Sequence, residues 1–202
     1  MTDEKQAVID IINQKKPEVE DWLHRPAWQD YDSDKSVGYQ AWYVDEESGL
    51  RSIKSQIVIN RPMKEIFDYV INADNKKNYD GSLNSAKEVK RFDDNYGIHY
   101  YCYNGTFLIE NRDLYTAAYM KYGDDFSEYF GTNFESPKYP PIAKTTRATC
   151  IYAGWQFKKQ DNGILCTYYT LADMKLNQTL VNTTLGKVAK QVVNLKKILE
   201  KK

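Results

Sequence analysis

Lys76 and Asp80 carry opposite charges and stand four positions apart in a polar stretch. If that stretch makes a helical turn the two side chains meet, because residues at i and i+4 share a helix face. Such a pair can answer both signs of a zwitterionic head group. On an open surface it is only a solvated salt bridge worth a fraction of a kcal/mol. His99 is the second candidate, two and four residues before Tyr101 and Tyr103, so all three share one face of a strand. A histidine there is either a hydrogen-bonded interior residue or a group that moves a proton near neutral pH. His24, in a Leu-His-Arg-Pro stretch, reads as a surface residue. Arg112 and Asp113 are neighbours at the entry of a strand and point to opposite faces, so they do not pair with each other. Each is expected to fix a loop or a strand end.

Other chemistry is missing from the sequence. It holds no nucleophile elbow, phosphate-binding glycine loop, dinucleotide fingerprint or HExxH motif. Two histidines and three scattered cysteines (Cys102, Cys150, Cys166) give no zinc spacing, so neither a metal nor a cofactor is expected. An odd cysteine count fits a reduced, cytoplasmic setting better than a disulfide framework. Acidic residues near Met1 are unlike a signal peptide, and no run approaches the roughly 18 apolar residues of a membrane-spanning helix. With 28 Lys and Arg against 28 Asp and Glu, there is no basic surplus to displace counterions from nucleic acid. Tyrosine is in excess, 17 against 7 Phe and 4 Trp, which suits a partly polar interior.

The elements that must position these residues follow from periodicity. Ala7, Val8, Ile11 and Ile12 have helical spacing behind a possible cap at Thr2, with Asp3 and Glu4 in the first turn. Pro17 is expected to end that helix or to start a second one carrying Trp22 and Leu23. From Gly38 the period becomes two, and a turn at 46–49 makes a hairpin ending near Ile59. Asn60 is expected to cap a short helix with Pro62 in its first turn and Met63, Ile66, Phe67 and Val70 on one face. A polar loop spans 72–83. Strand-like runs follow at 86–92, 96–103, 114–122, 126–130, 145–157 and 164–170, separated by Asp-, Asn- and Gly-rich turns. From about Leu180, Val181, Leu185, Val188, Val192, Leu195 and Leu199 form a helical stripe, with lysines on the other faces. The resulting class is α+β in one domain, residues 1–202, with a curved antiparallel sheet against a long C-terminal helix.

Five segments in order sharpen this outline. They are Asn75-Lys76-Lys77-Asn78-Tyr79-Asp80, Asn111-Arg112-Asp113-Leu114-Tyr115, Arg147 followed by Gly154-Trp155, Thr167-Tyr168-Tyr169 running on to Asp173, and Leu180-Val181-Asn182. Together they resemble the START family of lipid-transfer domains, most nearly its phosphatidylcholine-transfer-type members, over most of the chain. The resemblance implies a helix-grip fold: a bent sheet around an apolar tunnel closed by the C-terminal helix. It implies a monomeric, non-enzymatic carrier that takes one lipid at a time and meets membrane surfaces transiently.

Site residues carried over by the resemblance are Lys76, where Arg is usual, Asp80, and Tyr101 in place of a cage Trp that would hold choline by cation–π attraction. Leu114 and Ile151 fall at two further cage positions and are not aromatic, so the cage for choline is incomplete. The arginine of sterol-binding members falls near Ala118, which favours a phospholipid over a sterol. His99 and Tyr103 offer polar groups to a head group. Arg147 joins the ligand-binding set, as do Leu185 and Val188 of the closing helix. The alternatives are an enzyme on the same architecture, using His99, Asp80 and tunnel tyrosines as acid–base groups, and a lipid-sensing regulatory module.

Overall fold

The computed structural model describes residues 4–105 and 109–201, so the expected cap at Thr2 and the acid Asp3 lie outside the described residues. Helix α1 (Glu4–His24) runs unbroken through Pro17, contrary to the expected stop or second start there. Proline removes one hydrogen bond from the ladder. Burial holds the helix together: Val8 and Ile12 before the proline, and Val19, Trp22 and Leu23 after it, all pack on the sheet. Ten strands follow in chain order: β1 (Gln29–Asp34), β2 (Tyr39–Asp45), β3 (Arg51–Ile59), β4 (Leu83–Arg91), β5 (Tyr96–Tyr103), β6 (Asn111–Lys121), β7 (Phe126–Asn133), β8 (Thr145–Arg147), β9 (Thr149–Gln160) and β10 (Gly163–Asp173). They form one sheet in the order β1-β2-β3-β10-β9-β7-β6-β5-β4 with antiparallel neighbours, and β8 adds a short parallel pairing to β6. The strand expected over 145–157 is thus two pieces divided at Ala148. β1 has no apolar alternation, because as an edge strand it buries almost nothing.

Between β3 and β4 lie α2 (Met63–Ile71), a 3-10 turn (Ala73–Asn75) and a single helical turn, α3 (Lys76–Tyr79). Pro62 occupies the cap of α2; Asn60 does not cap it, and its N–H instead donates to Glu200 Oε1 at 2.8 Å. The chain closes with α4 (Gln178–Ala189) and α5 (Gln191–Glu200), the long C-terminal helix with one local departure at Lys190, where ψ opens to 3°. Asn177 caps it by accepting the Leu180 N–H at 3.0 Å.

The two faces of the sheet are used differently. Phe130, Tyr152 and Tyr169 pack against α1, whereas Ile57, Trp155 and Phe157 pack against α2, α4 and α5. Gly154, between those two sets on β9, has no substitute: a Cβ there would stand 2.4 Å from the Tyr129 carbonyl and the Tyr169 hydroxyl. The side of the sheet that meets α4 and α5 is only partly filled, and the cavity lies there.

Candidate ligand-binding cavity

The cavity, about 200 Å³, is bounded by the sheet, α3, α4 and the first turn of α5. Its lining is mostly apolar and includes Leu114, Ala153, Leu185 and Val188. At the end covered by α3 the lining becomes polar. There the turn that carries Lys76 is built by local hydrogen bonds. Asn72 accepts the Asp74 N–H at 3.0 Å, and the Asp80 N–H donates to the Lys76 carbonyl at 2.9 Å. Asn194 of α5 donates to the Tyr79 carbonyl at 3.1 Å and ties the turn to the closing helix.

The expected solvated pair is a buried one. Asp80 is 1% exposed and the Lys76 side chain 12%, with Nζ 3.8 Å from Asp80 Oδ2, beyond ordinary hydrogen-bond length. Asp80 is held otherwise: it accepts from Ser82 N–H (3.1 Å), Ser82 Oγ–H (2.5 Å) and Gln191 Nε2–H (3.1 Å). Lys76 Nζ stands instead over the rings of Tyr101, Tyr79 and Tyr168, at 5.4, 5.6 and 5.9 Å from their centroids. Burial pushes the Lys76 pKa down and Asp80 pulls it back up. The ammonium is therefore desolvated with its counter-ion at arm's length, and its donors remain for an occupant of the cavity.

Beside it lies a hydroxyl cluster. His99, 1% exposed, has Nδ1 at 3.1 Å from Tyr101 OH and 2.9 Å from Tyr129 OH, and the two hydroxyls are 2.7 Å apart. The imidazole stacks on Tyr129 at 5.7 Å between centroids. Its Nε2 faces Glu88 Oε2 at 3.5 Å. Burial lowers the His99 pKa, so the ring is neutral near pH 7, while that contact helps hold the Glu88 carboxyl down to about 2. Burial also pushes the Tyr101 and Tyr103 hydroxyls well above their ordinary value, so both stay protonated.

The structure brings together Lys76, Tyr101, Tyr103, Leu114, Leu185 and Val188 as lining residues. Asp80 and His99 stand one contact behind the wall, orienting Gln191 and the tyrosines. Ile151 is absent from the lining and packs in the layer against α1. Arg147 is elsewhere as well. Its Nε and Nη2 bind the two carboxylate oxygens of Asp113 at 3.0 and 3.1 Å, and its remaining donors take the Tyr139 and Pro140 carbonyls. Arg112 does line the cavity, but its guanidinium donates to the Met174 and Lys175 carbonyls, both at 3.1 Å. Both arginines fix loops.

Sequence reasoning missed Tyr129, Thr116, Tyr168 and Gln191, all in the lining. Gln191 carried a signal: it lies three after Val188 and four before Leu195, a polar residue on an otherwise apolar stripe. Its Oε1 and Thr116 Oγ1 are buried without a hydrogen bond of normal geometry. Among the described residues no group of His, Cys, Asp and Glu is placed to hold a metal ion, and no helix is long and apolar enough to cross a membrane.

No family model matches the sequence, and no curated protein matches it. Solved structures do. Human StAR-related lipid transfer protein 5 superposes with a TM-score of 0.85 at 14% identity, covering 98% of each chain. Human STARD10 gives 0.72 at 19% identity over 94% of this chain and 82% of that one. A STAR-related lipid transfer protein fragment from Xanthomonas axonopodis gives 0.64 at 17% identity, covering 84% and 99%. The fold is the START helix-grip fold.

Proposed function

We propose that this chain binds one phospholipid in its cavity, acyl chains against the apolar lining and head group at the Lys76 end, and carries it between membranes without altering it. One observation carries the reading: a desolvated ammonium with unused donors at the polar end of an otherwise apolar cavity. An anionic phosphate oxygen is the partner such a cation lacks, and a charge-assisted hydrogen bond there is stronger than a neutral one. A sterol, whose single hydroxyl is neutral, offers the ammonium no negative charge beyond the distant Asp80 carboxylate. The structural neighbours named as lipid-transfer proteins support the same reading. Lysine offers a point charge in place of a fork, so phosphate is held but not gripped in two places. The chains gain about 0.8 kcal/mol per buried CH₂, as they do in a bilayer, so exchange between the two is close to balanced.

Native mass spectrometry of protein incubated with mixed vesicles tests this. One bound phospholipid per chain is expected, together with movement of labelled lipid from donor to acceptor vesicles. Lys76→Met, which keeps the length and removes the charge, should cut phospholipid loading roughly tenfold, as loss of a charged hydrogen bond implies. Loading of sterol alone, turnover of the lipid, or undiminished loading by Lys76→Met would overturn the proposal.

A further inference from the structure

We infer that the cavity selects phospholipids whose head group carries a free hydroxyl, through a site at which Tyr101 and Tyr129, oriented by His99, accept and Thr116 donates. The inference rests on the phospholipid reading and names the head group. Its basis is a count of protons. His99 Nε2 has no hydrogen bond of normal geometry but faces the Glu88 carboxylate at 3.5 Å, which favours the one proton of the neutral ring on Nε2 and assigns Nδ1 as an acceptor. Nδ1 and the two phenol oxygens form a triangle with sides of 3.1, 2.9 and 2.7 Å. Two phenol protons are available to it. One is donated to Nδ1 and the other to the neighbouring phenol oxygen, so neither remains for the cavity. What the phenols present to a ligand is lone pairs. Thr116 Oγ1 lines the same wall, buried and without a hydrogen bond of normal geometry.

A hydroxyl satisfies this wall in both directions, donating to a phenol oxygen and accepting from Thr116. A quaternary ammonium has no proton to donate, and a second phosphate oxygen there would meet lone pairs. Lys76 Nζ lies 5.4 Å from the centre of the Tyr101 ring, so the ammonium and the Tyr101 phenol serve the same end of the cavity. Leu114, also in the lining, adds no aromatic face for choline.

The probes are phosphatidylglycerol and phosphatidylethanol of identical chains, equal in charge and differing in head-group hydroxyls. The full chain is incubated with vesicles holding both in equal amounts, re-isolated, and its bound lipid quantified by mass spectrometry. The glycerol lipid should exceed the ethanol lipid about fivefold or more, the ratio expected from one or two net hydrogen bonds. Thr116→Val, which preserves shape, and Tyr129→Phe should each bring the ratio towards one. Equal loading by the wild-type chain, or a preference that survives both substitutions, would overturn the hydroxyl site while leaving phospholipid binding standing. Failure to load either lipid would overturn this inference and the phospholipid reading together.

Discussion

His99 shows how one side chain's surroundings reach the stability of the whole molecule. Its folded pKa is lowered from an ordinary 6.5, chiefly by burial. Between the two values the unfolded chain binds a proton on this ring that the folded chain does not, so stability rises with pH through that window. Acidification from about 6.5 downward therefore removes stability. Glu88, held down to about 2 from 4.5, responds only at lower pH. Urea midpoints at pH 7.5 and pH 5.5 should show a clear loss for the wild-type chain and a smaller one for His99→Gln, which has no proton to gain. Equal losses in the two proteins would disprove the assignment. The periodicity of two placed His99, Tyr101 and Tyr103 on one face, because strand geometry dictates it. Their partners were illegible: Tyr129 is 28 positions from Tyr101 and meets it only because β5, β6 and β7 are adjacent in the sheet.

Arg147 belongs to the scale of elements, where it joins β8 to β6 and holds the loop before it. Asp113 is fully buried and receives both its side-chain hydrogen bonds from the one guanidinium, whose own side chain is 21% exposed. Removing the arginine leaves a buried carboxylate unpaired, a loss of about 3 kcal/mol. Arg147→Met should lower the unfolding free energy by that amount while the ratio of lipids loaded stays as in the wild type. Adding Asp113→Asn should recover part of the stability, since the orphaned charge is then gone. A changed head-group preference with unchanged stability would return Arg147 to the ligand-binding set. The elements differ in how well the sequence disclosed them. The hairpin, α2 and the C-terminal stripe were legible because each has one apolar face. α3 was not, because a single helical turn leaves no periodic signature. The break at Ala148 was hidden inside a run of uniform strand propensity.

At the scale of the whole molecule the sheet is held from behind and covered from the front. α1 buries its apolar face against Ile98, Ala117 and Phe130 and adds the partly exposed Lys16 paired to the buried Glu128 at 3.1 Å, so the back of the sheet is fixed. The front cover is divided. α5 buries Val192, Leu195 and Leu199 completely and is tied to α3 through Asn194. α4, beyond the departure at Lys190, lies over the cavity and is tied to β3 by the Arg51–Asn182 hydrogen bond at 2.9 Å. A cavity of about 200 Å³ is smaller than the roughly 300–1,000 Å³ of ordinary ligand sites, so the proposed lipid enters only if one wall gives way. Of the two halves of the closing helix, α4 buries only Leu185 and Ala189 among its described side chains, against four in α5, and Lys190 is the natural pivot. Amides of α4 should accordingly exchange with deuterium faster than those of α5 in the empty protein, and slow down once lipid is loaded. Arg51→Ala, at a partly exposed position, should speed lipid uptake several-fold, the effect of losing about 1 kcal/mol of latch, with little change in Tm. Equal exchange in α4 and α5, or uptake unaltered by Arg51→Ala, would place the entrance elsewhere on the molecule.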